Sequence, residues 1–309
     1  MVEVAVLGAG VAGLTAALFA ARLGCSTLVV AGDELGGELL NVSAIEDFPG
    51  FVDGVSGYEL CPTLQEQAQR AGARFEATKA DSIEREGDGW LVRTATGSVA
   101  ARSVVVCTGA RFRPLGVPGE QELLGKGVSH CAACDGPIFS GGIVAVVGGG
   151  DSGLQEALEL ARHASKVLVL ERSAALGGQQ VYRDRLAVAG NVETVVGVEV
   201  DEIVGEGRVG AVVAHHRSSG ERRRYSVDAV FVYGGLDPVA PSLPELGRDK
   251  GGHLVTDGHC RTSLPGVLAA GGIRAGFPGQ AVIAAGDGAT AALAAGRFLR
   301  DGAWPFRGW

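Results

Sequence analysis

The chain has 309 residues, 46% of them hydrophobic, which is enough for about two domains with cores of their own and excludes a small scaffold stapled by disulfides. With 27 basic against 35 acidic residues and a net charge of -8, it carries no basic footprint for nucleic acid. Apolar runs at 11–21 and 281–295 are interrupted at Arg22 and Asp287, so no membrane span is expected. Residues 2–7 form a short β-branched run, followed by Gly8-Ala9-Gly10-Val11-Ala12-Gly13, a predicted helix to about residue 23 and a strand at 27–31. The same unit recurs about 140 residues later: a strand at 143–147, Gly148-Gly149-Gly150-Asp151-Ser152-Gly153, a helix to about 163 and a strand at 166–170. Duplication of a βαβ unit implies two nucleotide-binding domains in one chain. Between the copies lie predicted strands at 90–95 and 104–107.

Two proline-bearing stretches, 113–119 and 233–241, read as crossing linkers. After them come a strand at 267–270, a glycine-rich turn and a helix from about 280 to 300. This last piece is too short for a domain and is expected to complete the first one. The fold class is therefore α/β, with two Rossmann-like three-layer domains: a discontinuous one over 1–112 and 241–309, and an inserted one over 113–240. Glycine makes up 50 residues, about one in six, which fits close backbone approaches in such turns. The opening Met1-Val2-Glu3 has no basic leader, so a cytoplasmic location is expected.

A G-x-G-x-x-G match alone is weak, but both copies sit between a predicted strand and helix, the context in which glycines let a pyrophosphate reach the helix N-terminal amides. The second motif is His130-Cys131-Ala132-Ala133-Cys134-Asp135-Gly136. In a reducing compartment such a pair is either metal-binding or redox-active. His253, His259 and Cys260 lack the paired spacing of a structural zinc site, which favours thiol exchange, with Asp135 as a nearby acid. Cys25, Cys61, Cys107 and Cys260 stand alone and read as small buried hydrophobes. His130 reads as a solvent-facing neighbour of the pair.

With these motifs in place, the chain resembles the low-molecular-weight thioredoxin reductase family over almost its whole length. Gly8, Gly10, Ala12 and Gly13 match its FAD fingerprint. Gly36-Gly37-Glu38-Leu39, Glu46-Asp47-Phe48-Pro49-Gly50 and Cys107-Thr108-Gly109-Ala110 resemble its further flavin-side motifs. Cys131 to Gly136 match the redox motif, and Gly148, Gly150 and Gly153 the pyridine-nucleotide turn. Thr262 to Val267, Ala269-Ala270-Gly271 and Gly279-Gln280-Ala281 resemble the closing flavin segment. The resemblance implies FAD and NADH or NADPH as cofactors, no metal, a homodimer, and thioredoxin or a thioredoxin-like protein as partner. It also implies a rotation between the domains, with Cys134 facing the flavin, Cys131 attacking the protein substrate and Asp135 moving the proton. A helix starting near Gln280 would aim its positive end at the flavin edge where reduction places negative charge.

Three departures stand out. Where NADPH-using members carry an H-R-R-x-x-x-R cluster, this chain has Glu171-Arg172-Ser173-Ala174-Ala175-Leu176-Gly177; Glu171 suits the ribose hydroxyls of NADH and repels a 2′-phosphate. The family's G-D motif, whose Asp holds the flavin's ribityl chain, reads Gly271-Gly272-Ile273. The tail Trp304-Pro305-Phe306-Arg307-Gly308-Trp309 is unusually aromatic, and either packs on a dimer mate or covers the flavin. The expected function is an FAD-dependent disulfide reductase, with NADH ahead of NADPH as donor. The alternatives are a nucleotide-independent, ferredoxin-linked reductase and an oxygen-dependent dithiol oxidase.

Overall fold

Val2–Leu7 and Ile143–Val147 each form an inner strand of a parallel array, where burial on both faces requires a continuous apolar run rather than alternation. The computed structural model describes residues 1–32, 35–243, 245–302 and 304, and the chain divides into two compact units, Met1–Arg111 with Asp237–Trp309 and Phe112–Leu236. Among the described residues the α-helices are α1 (Val11–Arg22), α2 (Gly57–Arg70), α3 (Ala132–Asp135), α4 (Asp151–Leu160), α5 (Gln180–Val188) and α6 (Ala281–Asp301).

In the first unit the strand order is Arg74–Glu76, Thr27–Val30, Val2–Leu7, Gly97–Val106, Gly89–Thr94 and Ala80–Glu86, with Val267–Ala269 also paired to Gly97–Val106. The strand expected at 104–107 is thus the end of a ten-residue strand. Its start pairs antiparallel with Gly89–Thr94, while Val104, Val105 and Val106 pair in parallel with Ala5, Val6 and Leu7 on one side and with Val267–Ala269 on the other. α2 was not expected from the sequence. It opens on a capping box in which Ser56 Oγ accepts from Glu59 N at 3.2 Å and the Glu59 carboxylate accepts from Ser56 N at 3.2 Å.

α6 lies against α1 at a point where a Cβ on Gly288 would overlap the Ala12 carbonyl. By length and composition α6 could cross a membrane. Its small residues Ala291, Ala292 and Ala295 instead join the core that α1 packs into, and its buried Asp287 is ion-paired with Arg274 at 2.9 Å.

The second unit has the parallel order Val192–Val196, Lys166–Glu171, Ile143–Val147, Ala229–Val232 and Val128–Ser129. Alternate residues serve opposite faces. Val144, Val146, Val167 and Val169 pack with Leu154 and Leu160 of α4 and Leu186 of α5. Ala145, Val147, Leu168 and Leu170 face an antiparallel sheet of Val198–Gly205, Val209–His216 and Arg222–Ser226. Side chains such as Leu154, Leu160 and Phe231 are fully buried, each contributing about 1.5–3 kcal/mol before conformational entropy is counted. α4 ends at Leu160, short of the expected 163, because the chain turns there and the His163 carbonyl accepts from Gly141 N.

Candidate active site

The two glycine turns have the same steric design. Gly8 and Gly148 have φ of +100° and +121°, and a Cβ on them would overlap the carbonyls of Cys107 and Tyr233. A Cβ on Gly13 or Gly153 would overlap the carbonyl of Gly8 or Gly148. Those four glycines are needed by the turn itself. The middle glycines are different: Gly10 and Gly150 are extended, with φ of -74° and -82°. A Cβ on Gly150 meets nothing within 4 Å, and one on Gly10 meets only the Gly36 carbonyl at 3.8 Å. Each middle glycine therefore leaves an open face beside the first amides of α1 or α4, and no side chain caps either helix.

Within the first unit, several of the expected residues converge on α1. Gly36 N donates to the Ala9 carbonyl at 2.9 Å, bringing Gly37 and Glu38, the start of a short 3₁₀ turn, to the first fingerprint. Thr108 and Gly109 follow directly from the strand whose next residue, Cys107, donates to the Leu7 carbonyl at 2.7 Å. The Thr108 hydroxyl is buried with no hydrogen-bond partner among the described residues, beside the Gly8 turn. A Cβ on Gly272 would stand 3.4 Å from Ala110 N and 3.6 Å from the Gly109 carbonyl carbon. Gly271 is close enough to Ala12 that a Cβ would be 2.8 Å from the Ala12 methyl. Gln280 is the N-cap of α6 and Ala281 its first residue. Asp47 lies exposed in the turn between Ile45 and Val55, which pair with each other. The open face at Gly10 and the orphaned Thr108 hydroxyl fit a dinucleotide such as FAD.

Asp287 is the carboxylate that could stand in for the one missing at position 272, but it is already engaged. Its oxygens accept from Arg274 Nε at 2.9 Å, from a second Arg274 nitrogen at 3.1 Å and from Gly271 N at 3.2 Å. Below it lie two thiols. Burial, and then the Asp287 carboxylate, push Cys260 up to about 12, and burial also raises Cys107. Burial pushes Cys61, on the inner face of α2, up to about 11. These thiols stay protonated and inert near neutral pH. Of the tail, Trp304 packs edge-on to Phe298 at 5.5 Å, with the Arg261 guanidinium 5.8 Å above its ring. The expectation for 305–309 lies outside the described residues.

In the second unit Glu171 is buried at the end of its strand. Its carboxylate accepts from Gly149 N at 2.6 Å and from Ser173 N at 2.7 Å, so the acidic residue ties its own loop to the glycine turn. Gly177 N and Gly178 N donate to the Gly149 carbonyl, and Gln179 N donates to the Asp151 carboxylate at 2.6 Å. Arg172 is exposed. Its carbonyl accepts from Arg217 at 3.4 Å, which brings a second cation that sequence reading missed, because Arg217 comes from a hairpin 45 residues away.

Cys131 and Cys134 form a disulfide with Cα atoms 5.3 Å apart, on the one-turn helix α3. Cys131 is its N-cap, and its sulfur accepts from Cys134 N at 3.2 Å. Cys134 is exposed; Cys131 and Asp135 are half-buried. His130 is not simply solvent-facing: it is half-buried, its Nδ1 pairs with the Val232 carbonyl at 2.9 Å and its ring stacks on Phe112. Two further residues reach the pair. Glu156 of α4 accepts from Ala132 N at 2.9 Å and from the Tyr233 hydroxyl at 3.3 Å. Glu156 is one of three acidic residues on α4, and nothing in the sequence sets it apart from Asp151 and Glu159.

Two dinucleotide-type units with a redox-type disulfide in the second define a class: a pyridine nucleotide-linked disulfide oxidoreductase. The family model for pyridine nucleotide-disulphide oxidoreductases matches residues 2–288, and the chain belongs to that family. It is 36% identical to the thioredoxin reductase of Treponema pallidum (strain Nichols) over 297 residues, covering 96% of this chain and 97% of that protein. A crystal structure of Lactococcus lactis thioredoxin reductase in its FR conformation matches with a TM-score of 0.94 at 34% identity, covering 97% of this chain and 100% of that one. A ferredoxin-flavin thioredoxin reductase from Clostridium acetobutylicum matches at TM-score 0.53 and 30% identity, over 97% of this chain and 98% of that one. The protein is an oxidoreductase of the thioredoxin reductase type, a group that uses FAD and NAD(P)H.

Proposed function

We propose that the protein is a homodimeric reductase of thioredoxin or a thioredoxin-like protein, acting through Cys131–Cys134 and accepting electrons from NADH in preference to NADPH. FAD, when bound, supplies two-electron transfer between donor and disulfide. Gly8, Gly10, Ala12, Gly13, Gly37, Glu38, Asp47, Thr108, Gly109, Gly272, Gln280 and Ala281 would hold it. Gly148, Gly150, Gly153, Glu171 and Arg172 would hold the pyridine nucleotide.

The roles of the two sulfurs are supported by exposure, which runs against the expectation that Cys131 attacks. Cys134 is the more exposed residue of the pair, so in the reduced protein its thiolate is the one that reaches the partner's disulfide. That attack forms a mixed disulfide and releases one partner thiolate, to which Asp135 relays the proton of the Cys131 thiol. The half-buried Cys131 thiolate thus formed, supported by Cys134 N, then attacks the Cys134 sulfur, releasing the second partner thiolate, which takes a proton from solvent, and restoring Cys131–Cys134. One disulfide is made and one is broken.

The observation that carries the donor preference is the buried Glu171 carboxylate on the Gly149 amide. A bound NADPH would bring a 2′-phosphate of about -1.5 to -2 charges at neutral pH to a loop that already carries this carboxylate, and Arg217 is drawn off by Glu199 at 3.4 Å. Anaerobic stopped-flow mixing tests this: NADH should bleach the flavin about tenfold faster than NADPH at equal concentration, as one pKa unit's worth of energy would give. Faster bleaching by NADPH would refute the argument. One observation favours a second reading, a ferredoxin-fed enzyme: both Glu171 oxygens already accept backbone amides, so the loop is held on the glycine turn by its own chain. Silence toward both nucleotides, with bleaching by reduced ferredoxin, selects that reading.

A further inference from the structure

An N-cap side chain commonly serves the second or third amide of a helix and leaves the first to some other acceptor. In α3 the N-cap Cys131 sulfur serves Cys134 N in this way, and the first amide, that of the fully buried Ala132, goes to a carboxylate from another helix, Glu156. Glu156 is held in turn by the Tyr233 hydroxyl. Phe112 packs edge-on to Tyr233 at 5.1 Å and stacks on His130, closing the back of the cluster. Tyr233 also forms the wall that the Gly148 turn rests on, and Glu156 sits on the helix that this turn begins.

We propose that Glu156 is a positioning residue of the redox centre: through Ala132 N and the Tyr233 hydroxyl it fixes the one-turn helix and keeps a carboxylate on the amide that follows Cys131. This rests on the reading of Cys131–Cys134 as the redox pair. Reduction breaks the S–S bond with two electrons and two protons, and leaves a thiol pair of which one member ionises to do chemistry. A carboxylate on Ala132 N places negative charge next to the pair and opposes ionisation of either sulfur. Glu156 therefore sets how much thiolate the reduced pair carries. Burial, joined by Glu159, raises the Glu156 carboxyl, while Ala132 N and Tyr233 work in the opposite direction. Asp135 adds its charge on the Tyr233 side, and Glu159 is itself paired with Arg162 and His163.

The test is the pH dependence of iodoacetamide alkylation of the dithiothreitol-reduced full-length protein, read by mass spectrometry on the peptide containing Cys131 and Cys134. Glu156→Gln keeps an acceptor for Ala132 N and removes the charge. It should shift the profile about one pH unit lower, speeding alkylation at neutral pH about tenfold, and make the disulfide easier to reduce in a thiol redox buffer. Tyr233→Phe leaves Glu156 with one partner fewer and should move the profile by a smaller amount, which keeps the proposal testable if Glu156→Gln folds poorly. Wild-type alkylation and reduction equilibria in both variants would overturn it. These readouts need no flavin turnover, so they are separable from the functional reading: that reading fails if Cys131→Ser and Cys134→Ser both keep normal thioredoxin reduction, whatever Glu156 does.

Discussion

The missing carboxylate at position 272 gives the sharpest quantitative test. Restoring it as Gly272→Asp adds a side chain whose Cβ meets Ala110 N at 3.4 Å, an ordinary contact, at a backbone conformation open to any residue. No backbone shift is required. Asp287 cannot already be filling the role, because its oxygens are occupied by Arg274 and Gly271 N. A recovered hydrogen bond to a charged acceptor is worth about 1.5–3 kcal/mol. At 1.4 kcal/mol per factor of ten, FAD should bind about 10- to 150-fold more tightly. The assay is fluorescence titration of flavin-stripped protein with FAD, with Gly272→Ala as the control for the added Cβ and Gly272→Asn for the charge. A Gly272→Asp dissociation constant within twofold of wild type, in a protein of unchanged urea midpoint, would refute the reasoning.

Replacing the middle glycines separates binding from folding: Gly10→Ala should lower flavin content and Gly150→Ala should raise the Kd for pyridine nucleotide, both with little change in Tm, since neither Cβ meets a close neighbour. Gly8→Ala, strained in φ and blocked by the Cys107 carbonyl, should instead lower Tm; equal Tm for Gly8→Ala and Gly10→Ala would contradict the steric assignment. Incubated with oxidised thioredoxin after reduction, Cys131→Ser should accumulate a mixed disulfide visible on non-reducing gels, whereas Cys134→Ser should not. The opposite pattern would return the attacking role to Cys131. Asp287→Ala leaves the Arg274 guanidinium, itself only 19% exposed, without its ionic partner and with only the Thr256 hydroxyl at 2.9 Å, and should cost about 3–5 kcal/mol in urea unfolding. A loss under 1 kcal/mol would mean that solvent reaches the arginine.

The glycine turns, the inner strands beside them and the Cys131–Cys134 motif were legible in the sequence because each is local: a few consecutive residues must supply φ near +100°, a short loop or a one-turn helix. The Val2–Leu7 and Ile143–Val147 runs were equally plain, since a strand buried on both faces has to be apolar throughout. The hairpins of the second unit were not, because Glu199, Asp201, Glu202 and the Arg222-Arg223-Arg224 run obscure their alternation, and the strands exist through pairing with one another. The role of Glu171 could be read as charge but not as geometry. Only the parallel register of Lys166–Glu171 beside Ile143–Val147 brings its carboxylate to Gly149 N, 22 residues away. Ala132, Glu156 and Tyr233 are separated by 24 and 77 residues and meet because α4 and the strand Ala229–Val232 both pack against the start of α3. Sequence determines which chemistry the chain carries, since that depends on residue type and short spacing. Which carboxylate touches which amide, and which cysteine is exposed, is decided by packing between distant segments.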